Sequence, residues 1–101
     1  MGREVSFWIA DLRDTKPQVR HQADLKLGNV GDDDPAVAEG LALALHDSDV
    51  LVLRDAVHAV VKLKQPSEAV LARLREMNGT DRDAGARDFA RRALAKLGRF
   101  E

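Results

Sequence analysis

Three arginines set a ruler for this chain, because Arg20, Arg54 and Arg87 stand 34 and then 33 residues apart and head the same apolar pattern. From Arg20, Ala23 follows at +3, Leu27 at +7, Val30 at +10 and Gly31 at +11, and Ala90, Leu94, Leu97 and Gly98 repeat those steps from Arg87. The middle copy keeps Val57 at +3 and Val61 at +7, with Val60 between them at +6. The residue before each arginine is also apolar: Val19, Leu53 and Ala86. Positions −1, +3, +7 and +10 trace one stripe of a helix with 3.6 residues per turn. A helix with one apolar stripe cannot bury it alone, and a fixed period of this length marks units that bury it by stacking.

A second helical segment precedes each arginine. In the first, Val5, Trp8, Ile9 and Leu12 fall on one face. The second opens at Asp34-Pro35, an N-cap carboxylate followed by a proline whose missing N–H costs no helical bond, and continues through Val37, Leu41 and Leu45. The third opens at Ser67 with Glu68 in its first turn, buries Val70, Leu71, Leu74 and Met77, and is expected to stop at Asn78-Gly79. The run Val50 to Leu53 is β-like in composition but leads directly into the middle arginine helix and is read as helix. The chain thus reads as one all-α domain over residues 1–101, six helices in three antiparallel pairs, with repeats near 3–31, 34–64 and 67–98.

Composition narrows the function classes. The 45% of hydrophobic residues is too many for a disordered chain, and no apolar run is long enough to span a bilayer. The absence of cysteine removes thiolate chemistry and disulfides, which permits a reducing compartment, with the cytoplasm as the default expectation. The opening Met-Gly-x-x-x-Ser matches a lipidation pattern formally but is read as an ordinary chain start. The net charge of −1 conceals a division: residues 1–50 hold 5 Lys+Arg against 10 Asp+Glu, and residues 51–101 hold 11 against 7.

The segments "VSFWIADLRDTKPQVRHQADLKLGNVG" and "ARDFARRALAKLG" resemble HEAT-like repeats, particularly the short bacterial type found in phycobilin lyases. The middle copy departs by losing the glycine and gaining a turn residue, and the third lengthens its turn between Met77 and Asp81. The resemblance implies a right-handed α-solenoid. It also implies a ladder in which a turn aspartate brackets the helix arginine, assigned by similarity to Asp14 with Arg20 and Asp81 with Arg87, while Arg54 has two candidates, Asp47 and Asp49. It further implies that the polar faces of the second helices line the concave side.

Those faces give the candidate contact residues His21, Asp24, Asp55, His58, Lys62, Asp88, Arg91 and Arg92, with Leu25, Ala59 and Ala95 among them. Stacking predicts two columns, His21–Asp55–Asp88 and Asp24–His58–Arg91. Imidazole and carboxylate together could ligate a metal or trade protons, but helices packed about 8–10 Å apart separate such side chains too widely unless they lean together. Hydrated polar groups are the preferred reading, and His46 is expected to face carbonyls at its helix end. No Gly-rich phosphate loop, H-E-x-x-H pair or G-x-S-x-G elbow occurs, so the expectation is a non-enzyme with no cofactor and no metal.

The expected function is a scaffold or adaptor that binds a partner protein on the concave face. The alternative is nucleic-acid binding through the basic second half (Arg82, Arg87, Arg91, Arg92, Lys96 and Arg99), which the acidic first half argues against. Resemblance alone adds an accessory role in chromophore-lyase or repair chemistry. The opposed charges of the two halves suggest a salt-sensitive homo-oligomer. Phe7, Phe89 and Phe100 lie off or beside the core stripes and are candidates for end-capping or partner contact, whereas Trp8 sits at a core position.

Overall fold

The computed structural model describes residues 2–31, 34–80 and 83–98. Six helices follow one another: α1 (Gly2–Asp11), α2 (Pro17–Val30), α3 (Pro35–Ala44), α4 (Val50–Val60), α5 (Glu68–Thr80) and α6 (Ala84–Lys96). Among the described residues there is no strand, and the β-like run at Val50 lies in the first turn of α4. The helices pair as α1/α2, α3/α4 and α5/α6, while α2 packs on α4, α4 on α6, α1 on α3 and α3 on α5. The result is an α-solenoid of two layers, with α2, α4 and α6 side by side in one of them.

The helix starts follow from side chains that accept from exposed backbone N–H groups. Asp34 accepts from Ala36 N at 2.9 Å ahead of Pro35, Asp49 from Leu51 and Val52, Ser67 from Val70 at 3.2 Å, and Asp83 from Gly85 and Ala86. The two glycines at +11 serve the other end. Gly31 (φ 59°) and Gly98 (φ 70°) occupy the left-handed region that ends a helix without a Cβ clash, and the Gly31 N–H donates to Leu27 O. The expected stop at Asn78-Gly79 is not used. Gly79 has no positive φ, α5 continues to Thr80, and the Thr80 hydroxyl donates to Glu76 O at 2.8 Å within the last turn.

The stripes of α3 and α5 are buried as their spacing demands. Val37, Leu41 and Leu45 of the second repeat, and Val70, Leu71, Leu74 and Met77 of the third, join one core that runs from Val5 in α1 to Leu94 in α6. Burying a leucine of this kind contributes about 1.5–3 kcal/mol. At the open end of the stack, Trp8, Ile9 and Leu12 are only partly buried, since no helix pair covers them. Lys26 instead lies over the Trp8 ring, 5.6 Å from its centroid, in cation–π contact.

The arginine bracket is built differently from the expected one. Arg20 donates from Nη1 to the backbone carbonyl of Asp14 at 2.8 Å, but the carboxylate it grips is Asp47 of the next repeat, from Nε at 2.8 Å and Nη2 at 3.2 Å. The Asp14 carboxylate accepts from Lys16 N instead. The two-pronged bond to Asp47 holds the Arg20 guanidinium charged and pins the turn between α3 and α4 against the first repeat. Arg54 forms no such bracket. Asp47 is occupied by Arg20 and by Asp49 N, Asp49 caps α4, and Arg54 is exposed with no ion pair among the described residues. Arg73 of α5 makes a comparable cross-repeat link, donating to Leu45 O at 3.0 Å. Arg87 is half-buried near the start of α6, and its expected partner Asp81 lies outside the described residues.

Candidate partner-binding face

The sides of α2, α4 and α6 away from their core stripes share one face, but equivalent repeat positions are not equally exposed along it: four residues after the marker arginine, Asp24 is buried while His58 and Arg91 are open. The first expected column is partly realised. His21 Nδ1 and Asp55 Oδ2 are hydrogen-bonded across repeats, a pairing set by their separation of 34 residues, and this contact leaves the Asp55 side chain only 13% exposed. Asp88 does not join them. It is held on its own helix by Arg91 and by Arg92 at 3.0 Å, and the Arg91 hydrogen bond, assisted by the charge of Arg92, keeps its carboxyl below the usual aspartate range. Among the described residues no three His, Asp or Glu side chains converge so as to hold a metal ion.

The second column is broken at its head. Asp24, expected on the open face, is fully buried, and neither of its carboxylate oxygens has a hydrogen-bond partner. The cause is that α2 and α4 pack flank to flank. Gly28, one turn beyond Asp24, would place a Cβ 3.0 Å from Ala59 Cβ, so the whole side of α2 that carries Asp24 and Gly28 is covered. The same contact buries Ala59, also expected on the open face. Burial, and then the neighbouring charges of Asp55 and Asp47, push the Asp24 carboxyl up to about 8, with Arg20 acting in the opposite direction. His58 and Arg91, the rest of that column, are exposed.

Three hollows line this face and share walls. One of about 290 Å³ includes Pro17, His21, Asp49 and Leu51; the next, of about 680 Å³, includes Leu25, His58, Lys62 and Lys96; Arg54 and Asp55 belong to both. The third, of about 220 Å³, lies between α4 and α6, with buried Val57 and Ala93 at its floor, Val61 and Phe89 on its walls, and His58, Arg92 and Lys96 at its rim. Sequence reasoning missed Val61 as a groove residue, having placed it on the core stripe, and gave Arg54 a structural role. Leu25 is 39% exposed and Lys62 donates to Asn29 at 3.4 Å.

Other candidates fall elsewhere. Phe7 is exposed on α1, Phe89 is half-buried in the α4–α6 trough, and Phe100, with Arg82 and Arg99 of the basic set, lies outside the described residues. His46 is exposed beyond the end of α3 in a separate hollow with Arg13, Leu43 and Ser48, and no hydrogen bond from its ring is among those described. No helix of the described residues is long and apolar enough to cross a membrane.

The repeat period, the paired helices and the shared core define the class, an α-solenoid of stacked helix pairs. The chain belongs to the HEAT-repeat family, whose model matches residues 5–95. HEAT repeats are commonly protein-interaction scaffolds and typically non-catalytic. No curated protein matches the chain.

Proposed function

We propose that this protein is a non-catalytic scaffold whose α2/α4/α6 face binds a partner protein. The observation that carries the reading is the run of joined hollows, in which apolar walls from Leu25, Val61 and Phe89 lie beside exposed His58, Lys62, Arg92 and Lys96. An apolar lining with a polar rim is how protein interfaces are composed. The face also rides on packed helices, so a partner's binding demands little ordering of this chain. Of the residues expected to make contact, His21, Asp55, His58, Lys62, Asp88, Arg91 and Arg92 remain in the proposal, and Asp24 leaves it because it is buried.

Alanine or charge-reversal changes at His58, Arg91 and Arg92 test the proposal by capture from the native host. These side chains are exposed, so the melting temperature is expected to stay within a few degrees while capture is lost. Capture that persists through all three changes, with the fold intact, overturns it.

A further inference from the structure

The proposed face has a chemistry of its own. Arg54 and His58 on α4 and Lys62 in the turn just past its end recur every fourth residue, and Arg92 and Lys96 do the same on α6; His58, Arg92 and Lys96 rim the trough between the helices, and Arg54 and Lys62 line the hollow that adjoins it. Few carboxylates answer them. Asp55 is turned to His21, and Asp88 is shared between Arg91 and Arg92, so that trio retains net positive charge. Arg54, Lys62 and Lys96 have no carboxylate partner among the described residues. The excess follows the second half of the sequence, which holds 11 Lys+Arg against 7 Asp+Glu, whereas the first half is acidic.

Within the trough the surface is apolar. Val57 and Ala93 floor the trough, Val61 and Phe89 wall it, and its volume of about 220 Å³ falls below the range of about 300–1,000 Å³ usual for small-molecule sites. The trough by itself is room for a side chain, while the hollow of about 680 Å³ that adjoins it, within that range, is lined mostly by charged and polar groups: Arg54, Asp55, His58, Lys62 and Lys96. On the reading that this face binds a protein, we infer that the occupant is an acidic segment of a partner protein. One leucine or aromatic side chain of it enters the α4–α6 trough, and carboxylates on either side meet Arg92 and Lys96 at its rim and Arg54 and Lys62 in the adjoining hollow. A nucleic acid could also set phosphates on the cations and a base on Phe89, but its continuous backbone charge would meet the acidic first half of the chain, which favours a short acidic peptide.

The probe is a short fluorescein-labelled helical peptide carrying glutamates around a central leucine. It is compared with versions in which every glutamate is glutamine or the leucine is alanine, and with a single-stranded oligothymidylate of similar length. Several exposed ion pairs acting together predict that the glutamate peptide binds roughly tenfold tighter than the glutamine version at low salt. That advantage should shrink as salt rises and disappear in K62E and K96E, two exposed changes whose fold is checked by melting temperature. The alanine version should also bind more weakly.

Equal binding of the glutamate and glutamine peptides, both abolished by F89A, would remove the acidic preference and leave the protein-binding face standing. Tighter binding of the oligonucleotide than of any peptide would overturn both. Failure of all peptides at low salt overturns the acidic segment as occupant, and the host-capture variants then decide the face separately. If the free protein dimerises at low salt and K96E abolishes the dimer, the acidic segment is the chain's own first half in a second copy, and a partner protein is overturned.

Discussion

Asp24 is the one buried ionisable side chain in the described core, and it has no hydrogen bond to compensate for lost water. Its carboxyl titrates near 8 in the folded protein, against an ordinary value near 4 once the chain unfolds, so between those values the folded state holds a proton that the unfolded state has released. Stability therefore falls as pH rises through this window, by about 1.4 kcal/mol per pH unit from this group, and becomes level on either side of it. The groups facing Asp24 are Arg20 on its own helix, Asp47 in the α3–α4 turn and Asp55 on α4. All of them remain in D24N, so the difference between wild-type and variant isolates the single carboxyl. Urea unfolding at several pH values is expected to show D24N gaining on wild type steadily from pH 5 to pH 8. A constant difference across that range would mean that Asp24 is charged in the folded state. The arginine four residues earlier has the opposite character: Arg20 is satisfied at every prong, which makes it a structural bracket and not a site.

At the scale of helices, glycines mark two close approaches, Gly40 of α3 against the Ile9 side chain of α1 at 3.1 Å and Gly28 of α2 against α4, and only the second meets backbone. Gly28 faces Ala59 so nearly that a Cβ would lie 3.0 Å from its Cβ and 3.2 Å from its Cα, and a backbone atom cannot rotate aside. G28V is expected to cost about 2–3 kcal/mol by forcing α2 from α4, despite removing a helical glycine. Gly79 is the contrast. It lies in α5 with nothing within 4 Å of a built Cβ, so G79A should gain a few tenths to about 1 kcal/mol from helix propensity. Thermal unfolding of the two variants checks both signs, and destabilisation by G79A would mean that the end of α5 needs a backbone shape alanine cannot adopt. These glycines also explain what the sequence made legible. Asp34-Pro35, Ser67 and the glycines at +11 announce helix ends through local chemistry, and the 34- and 33-residue periods announce the stacking. The flank of α2 that presses on α4 has no such signal: Asp24 is polar, so periodicity assigns it to the open side until the neighbouring helix is in place. Asn78-Gly79 misled for the same reason in reverse, since a sequence that permits a left-handed stop does not compel one. The His21–Asp55 contact was legible because the period aligned the two positions, whereas the apolar trough needed α4 and α6 side by side.

For the molecule as a whole, the question is whether three stacked pairs behave as one unit. Solenoid repeats contact only their neighbours, so a stack can in principle lose its terminal pair first. The first pair here is the less completely buried end, with Trp8, Ile9 and Leu12 half-covered, yet it is tied inward by Leu27 and Val5 in the common core, by the seam at Gly28 and by the bond from Arg20 to Asp47. All three ties cross from the first repeat to the second, and Arg73 to Leu45 crosses from the third to the second. The middle repeat therefore cannot keep its packing when either neighbour leaves, which favours a single cooperative transition. The chain's one tryptophan makes this measurable, since Trp8 reports the first pair alone while far-UV ellipticity reports all six helices. In urea the two signals are expected to share a midpoint and a slope. In R20A, which removes the bracket, Trp8 fluorescence should change at lower urea than ellipticity, because the first pair then keeps its apolar contacts and, of its polar links to the second, only those of His21 with Asp55 and Asn29 with Lys62. Separation of the two signals in the wild type would show instead that the terminal pair opens independently, and that the bracket does not couple it to the rest of the stack.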